Sequence, residues 1–183
     1  MPRLVDHDVR RAELLEACFG LFARKGYAGL TMRRIATELG VSTGTLYHYF
    51  KGKADLFAQM FRWIRARDIR ALAESVPPDL TLESRMQALD RFVELHSQSL
   101  SDALRIALEF HREAPDDEGR ALLHETLAEY RSAIRTQLDL EDPQEVSTLL
   151  SCLLGILIHR LLDPGAVDVH DQVGRIRRAL APS

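Results

Sequence analysis

A helix of seven residues does not hold together alone in water, and between Ser42 and His48 this chain leaves room for nothing longer. Isolated helices below ~12 residues are marginal, because fixing the first turn costs more than a few backbone hydrogen bonds return. Gly40 closes the helix before it, and Lys51-Gly52-Lys53 breaks the chain after it. Residues 42–48 are therefore helical only where neighbours hold them, and Val41 and Leu46 are the apolar side chains that do so. The outward positions are then Thr43, Gly44, Thr45, Tyr47, His48 and Tyr49, small and polar at one end and aromatic at the other.

The same 3.6-residue periodicity runs through the rest of the chain, and no useful length alternates as a strand does. Leu15, Cys18, Phe19 and Phe22 share a face, with Gly26 placed to end that helix in the left-handed conformation. Thr31 caps a second helix whose inner face is Met32, Ile35, Ala36 and Leu39, and Ser42 caps the short third. A long helix follows from about Ala54 to Ser75, stopped by Pro77-Pro78. Further stripes are Leu82 to His96, Leu104 to His111, and Leu123 to Leu138. Pro143 opens a helix that ends at Leu162 before Asp163-Pro164-Gly165, and residues 169–180 form the last. The expected fold is all-α with about nine helices. A three-helix domain over 1–53 is joined by a long helix to a helical domain over 54–183.

Apolar residues at 46% supply a core for a chain of 183 residues. The net charge of −3 excludes a generic nucleic-acid binder, but its distribution is uneven. Residues 1–60 carry nine Lys/Arg against six Asp/Glu, and residues 61–183 carry 15 against 21, which fits DNA contact at one end. Cys18 and Cys152 stand alone, without a CxxC or a histidine at ligand spacing, so neither a disulfide framework nor a metal site is expected. The first residues lack the apolar run of a signal peptide, and the apolar stretch 149–158 is shorter than the ~20 residues of a membrane span. The expectation is a soluble protein of a bacterial cytoplasm, without cofactor or membrane partner.

The stretch from Ile35 to Phe57, IATELGVSTGTLYHYFKGKADLF, combines a helix, a glycine turn and a second short helix. That arrangement suits a helix whose N-terminal residues enter a DNA major groove. Here the chain closely resembles the TetR family of repressors. The matching residues are Ile35-Ala36, Gly40-Val41-Ser42, Gly44-Thr45-Leu46-Tyr47, Tyr49-Phe50, Lys53 and Leu56, with Tyr49 where the family more often has His. Upstream, Phe22-Ala23-Arg24-Lys25-Gly26-Tyr27 leading to Leu30-Thr31 agrees as well. A weaker resemblance to one C-terminal type of the family covers Ala103 to Ala179.

The resemblance implies roles position by position. Thr43, Gly44 and Thr45 would face base edges, with Arg33 reaching a base or a phosphate. Thr31, Ser42, Tyr47, His48, Tyr49 and Lys53 would clamp phosphates. Chemistry agrees with this division. Short hydroxyl side chains fit near a groove floor, an arginine pairs with guanine in bidentate fashion, and glycine permits close backbone approach.

The helix over 143–162 is apolar nearly all round, so it must be covered on more than one side. A second subunit is the economical cover, and in the TetR family the last two helices form the dimer interface. Leu150, Leu154, Leu157, Leu161, Ile176 and Leu180 are the candidate interface residues. Polar or bulky members of apolar stripes are the candidate effector contacts: Phe92, His96, Phe110, His111, Tyr130, Cys152, Ile156 and His159. The predicted function is that of a sequence-specific DNA-binding regulator. It acts as a homodimeric repressor released from a palindromic operator by a small, largely apolar effector. An enzyme is not expected, since no GxSxG, HExxH or Walker pattern is present. A ligand-independent DNA-binding protein would show no effector-dependent melting shift, and a redox sensor would depend on Cys152. A homeodomain-like reader is disfavoured by the shortness of the recognition helix.

Overall fold

A computed structural model describes residues 3–77, 80–113, 117–163, 165 and 168–180; of residues 3–6, 118, 169–170 and 177–180 it describes the backbone only. Among the described residues every regular element is a helix. These are α1 (Arg3–Lys25), α2 (Met32–Leu39), α3 (Thr43–Tyr49), α4 (Lys53–Ser75), α5 (Leu82–Glu113), α6 (Asp117–Leu138), α7 (Pro143–Leu162) and α8 (Val169–Leu180).

Eight helices are therefore seen where the pattern suggested about nine. The stripes at 82–96 and 104–111 belong to one 32-residue helix, α5. The serine-rich link between them contains neither proline nor glycine. Ser97 and Ser101 are buried within it, and the Ser97 hydroxyl donates to the Glu94 carbonyl at 2.8 Å, so the helix absorbs its serines without breaking.

The chain divides into two compact units: Met1–Ala66 with Ile106–Leu122, and Arg67–Arg105 with Leu123–Ser183. The first unit thus extends beyond residue 53 and recruits the end of α5. Its buried side chains include Leu14, Leu15, Cys18, Leu21 and Phe22 from α1, and Ile35, Ala36 and Leu46 from α2 and α3. Leu56, Phe57, Met60 and Ile64 of α4 and Ile106 and Phe110 of α5 are buried there too. Burial pushes the Cys18 thiol up to about 12, which leaves it a protonated, unreactive core residue.

The second unit is built on a cluster that includes Leu72, Val76, Leu89, Phe92 and Val93 with Ile134, Leu138, Leu149, Leu153, Ile156 and Val173. The Asp142 carboxylate caps α7 by accepting the Gln144 N–H at 2.8 Å, and Pro143 takes the first helical turn, where a missing N–H costs nothing. α7 has the length and apolar composition of a membrane-crossing helix. Val146, Leu149, Leu150, Leu153 and Ile156 of this helix lie in the cluster. Pro78 and Pro164, read as helix stops, and most of the acidic stretch 115–118 lie outside the fully described residues.

Candidate nucleic-acid interface

Local capping chemistry builds the α2–turn–α3 corner. Thr31 is extended, and its hydroxyl oxygen accepts the Arg34 N–H at 3.2 Å, starting α2. Gly40 ends α2 at φ +65, a left-handed conformation in which an added Cβ would meet nothing, so the demand for glycine here is purely conformational. The Val41 N–H then donates to the Ala36 carbonyl at 3.0 Å and turns the chain. Ser42 caps α3 by accepting the Thr45 N–H at 2.9 Å, and the hydroxyls of Ser42 and Thr45 lie 2.8 Å apart.

Leu46 alone of α3 is fully buried, and Phe50 just beyond the helix is buried as well. Val41 is half-buried and contributes less than expected. Around Leu46 the helix presents Thr43, Gly44, Tyr47 and His48 as exposed residues, with Thr45 and Tyr49 half-exposed. Tyr47 is 57% exposed, a large aromatic ring that the fold does not use for its core. Arg33 and Thr31 are exposed on the neighbouring α2 segment.

Lys53 points elsewhere. Its ammonium donates to the Tyr27 carbonyl at 3.2 Å and sits 4.0 Å from the centre of the Tyr27 ring. Partial burial lowers its pKa, and the charge of Glu113 acts against that. The lysine holds the α1–α2 connection, and a phosphate would have to share or displace that arrangement.

Glu109 of this unit is not among the residues expected from the sequence, and Phe110, expected there as an effector contact, packs in this unit's core. Glu109 of α5 accepts the Tyr27 N–H at 2.8 Å, and an added Cβ at Gly26, where φ is +72, would stand 2.6 Å from its Oε2. Phe110 beside it stacks on Phe57 at 4.2 Å and meets the Tyr27 ring edge-on at 5.1 Å. No local pattern advertises either contact. His7 of α1 lies with its ring 4.6 Å from that of Tyr49 and 5.5 Å from that of His48.

The remaining candidates separate in the same way. Within the second unit, Phe92 and Ile156 belong to the core cluster and Tyr130 packs against it. The His96 ring lies 4.6 Å from that of Phe92. Tyr130 donates its hydroxyl at 3.2 Å to Asp68, a carboxylate only 4% exposed that also accepts from Arg67 at 3.0 Å. Burial raises the pKa of Asp68, while Arg67, the Tyr130 hydroxyl and the charge of His96 pull it down. Phe110 lies in the first unit, His111 and His159 are exposed, and Cys152 is a half-buried free thiol.

Of the candidate interface leucines, Leu150 and Leu157 are 8% and 6% exposed within the single chain, since they stand about two turns of α7 apart and so both lie on its core side. Leu154 and Leu161 are half-buried, Ile176 packs on the core cluster, and the side chain of Leu180 lies outside the described residues. α7 instead exposes Thr148, Ser151, Gly155, Ile158, His159 and Leu162, a stripe at helical spacing.

Residues 14–60 match the profile of the bacterial regulatory proteins of the tetR family. The chain is 23% identical to the HTH-type transcriptional regulator PksA of Bacillus subtilis over 96% of its own length and 90% of that protein. Against the HTH-type transcriptional repressor AcnR of Corynebacterium diphtheriae it is 39% identical over 37% of this chain and 35% of the relative. The crystal structure of the regulator FadR from Bacillus subtilis, in complex with stearoyl-CoA, superposes with a TM-score of 0.72 at 19% identity, covering 91% of this chain and 95% of that one. That likeness is one of fold.

Proposed function

We propose, from the premise that this chain belongs to the TetR family of bacterial transcriptional regulators, that it represses by gripping a palindromic DNA operator as a homodimer. The observation that carries this reading is α3, a helix anchored by Leu46 that presents Thr43, Gly44, Tyr47 and His48 as exposed residues. Thr43, Gly44 and Thr45 at its N-terminal end read base edges, and Arg33 reaches a base or phosphate from α2. Thr31, Ser42, Tyr47, His48 and Tyr49 contact phosphates. The Thr31 oxygen accepts a backbone N–H group, which leaves its hydroxyl hydrogen to donate, and the hydrogen-bonded Ser42–Thr45 hydroxyl pair keeps one O–H to donate. Lys53 acts chiefly by holding the turn at Tyr27.

The effector enters the second unit near Phe92, His96, Tyr130 and Ile156, where apolar side chains surround a few polar groups. FadR, which shares the fold, binds stearoyl-CoA, whose long acyl chain is an apolar group of the kind proposed for the effector here. The exposed stripe of α7, with small residues at Ser151 and Gly155, supplies the homodimer contact together with α8. The protein works in the cytoplasm and needs neither membrane nor cofactor. Selection from random duplex DNA tests the central claim, with a palindromic consensus expected. Sequence-blind recovery would remove it. Metabolites that raise the melting temperature are then expected to weaken operator binding, and by linkage the operator weakens theirs by the same factor.

A further inference from the structure

The imidazole of His7 lies on α1, outside the helix-turn-helix corner, yet its ring meets those of Tyr49 and His48 at 4.6 and 5.5 Å. The rings of His48 and Tyr49 are themselves 5.0 Å apart, so the three form one aromatic group. His7 and His48 are exposed and Tyr49 is half-exposed. Few charges offset this pair. Asp8 is the acid beside His7, its carboxylate 3.9 Å from Nδ1, and its side chain is 78% exposed. On the same helix Arg10 is engaged by Glu13 and Arg11 by Gln59. From α3 only His48 and Tyr49 bring titratable rings to it among the described residues.

We propose that His7 is a further phosphate-contacting residue and that the His7–His48 pair makes DNA binding take up protons. The proposal rests on the DNA-binding reading of α3 and adds to it a residue on α1 and a dependence on pH. A histidine is the side chain whose ordinary titration falls between pH 5 and 8. A phosphate placed between the two rings favours the charged form of both. Each protonated ring then counts as one more neutralised phosphate, releasing counterions from the duplex. Neutral rings still donate one N–H each, so binding persists at high pH with fewer ionic contacts.

The test uses the full chain and two duplexes, the selected operator and a scrambled sequence of equal length. Affinity is measured against salt at several points between pH 5 and 8, with melting temperature as a check on folding. For the wild type, the salt slope per half-site steepens toward low pH by ~0.9 for each of the two histidines, on both duplexes. His7→Gln loses about half of that change, the double variant His7→Gln/His48→Gln loses all of it, and His7→Lys keeps a steep slope at every pH. Both positions are exposed, so these variants fold with unchanged melting temperature. A His7→Gln protein with the wild-type pH dependence overturns the proposal, as does wild-type binding that is flat in pH. A wild type that binds no duplex at all overturns both this proposal and the regulator reading beneath it.

Discussion

The Glu109 carboxylate accepts the Tyr27 backbone N–H at 2.8 Å, across 82 positions of chain, in the turn that leads into the helix-turn-helix corner. The same carboxylate occupies the space that a side chain at residue 26 would need. One acid thus satisfies one backbone donor and would have to shift to admit a methyl group at residue 26.

A double-mutant cycle follows from that arrangement. Glu109→Ala withdraws the acceptor from a part-buried amide and is expected to cost about 1–2 kcal/mol. Gly26→Ala pays for its φ of +72 and for the collision with Oε2, whereas Gly40→Ala pays only for its φ of +65. Gly26→Ala is therefore the more destabilising of the two. In the Glu109→Ala background its excess cost disappears, giving a coupling energy that denaturant titration resolves. Strict additivity would refute the steric account.

Asp68 predicts a pH dependence of stability. Burial raises its folded-state pKa above the ordinary 3.8, so its protonated form is the one that favours folding. That contribution is fully present below 3.8 and is lost as pH rises through the raised value. Asp68→Asn keeps an acceptor for Tyr130 and removes the buried charge. The melting temperature of Asp68→Asn minus that of the wild type is expected to be positive near neutrality and to shrink as the pH falls into the acid range. Differential scanning calorimetry from neutral pH to about 4 checks the sign.

The exposed stripe of α7 separates assembly from folding. Leu157→Arg buries a charge in the chain's own interior, where an unpaired charge costs several kcal/mol, and unfolded or aggregated protein is expected. Ile158 is 40% exposed, and Ile158→Asp is expected to give folded monomers with weakened operator affinity. Light scattering with circular dichroism distinguishes the cases, and a folded Ile158→Asp dimer would rule out this face.

At the DNA corner, Thr43→Ala is expected to change sequence preference with little effect on melting. Lys53→Ala removes a hydrogen bond and a cation–aromatic contact, together worth about 1–2 kcal/mol, and lowers the melting temperature before it lowers affinity. Parallel melting and binding measurements on both variants separate reading from bracing.

The helix-turn-helix corner was legible because its determinants are local. Thr31, Gly40 and Ser42 act on residues within five positions, and Leu46 follows from the helical period. The contact of Lys53 with Tyr27 was not legible, because the two are 26 residues apart and no periodicity links them. The continuity of α5 was missed because alternating serines in a helix resemble a linker until Ser97 and Ser101 are found buried. On α7 the leucines drew attention through their size. The face they leave open carries serine, glycine and threonine, whose smallness is invisible to a hydrophobic pattern.

With Leu46 as the one fully buried side chain of α3, the helix is a plug with interchangeable decoration. Substitutions at Thr43, Gly44, Tyr47 and His48 fall on residues from which the core draws nothing, so under the proposed reading the preferred DNA sequence can drift while the fold stays on one side of its stability threshold. A chain built this way acquires new binding sites by surface replacement, and the mutations that alter its target set are largely different from those that destroy it.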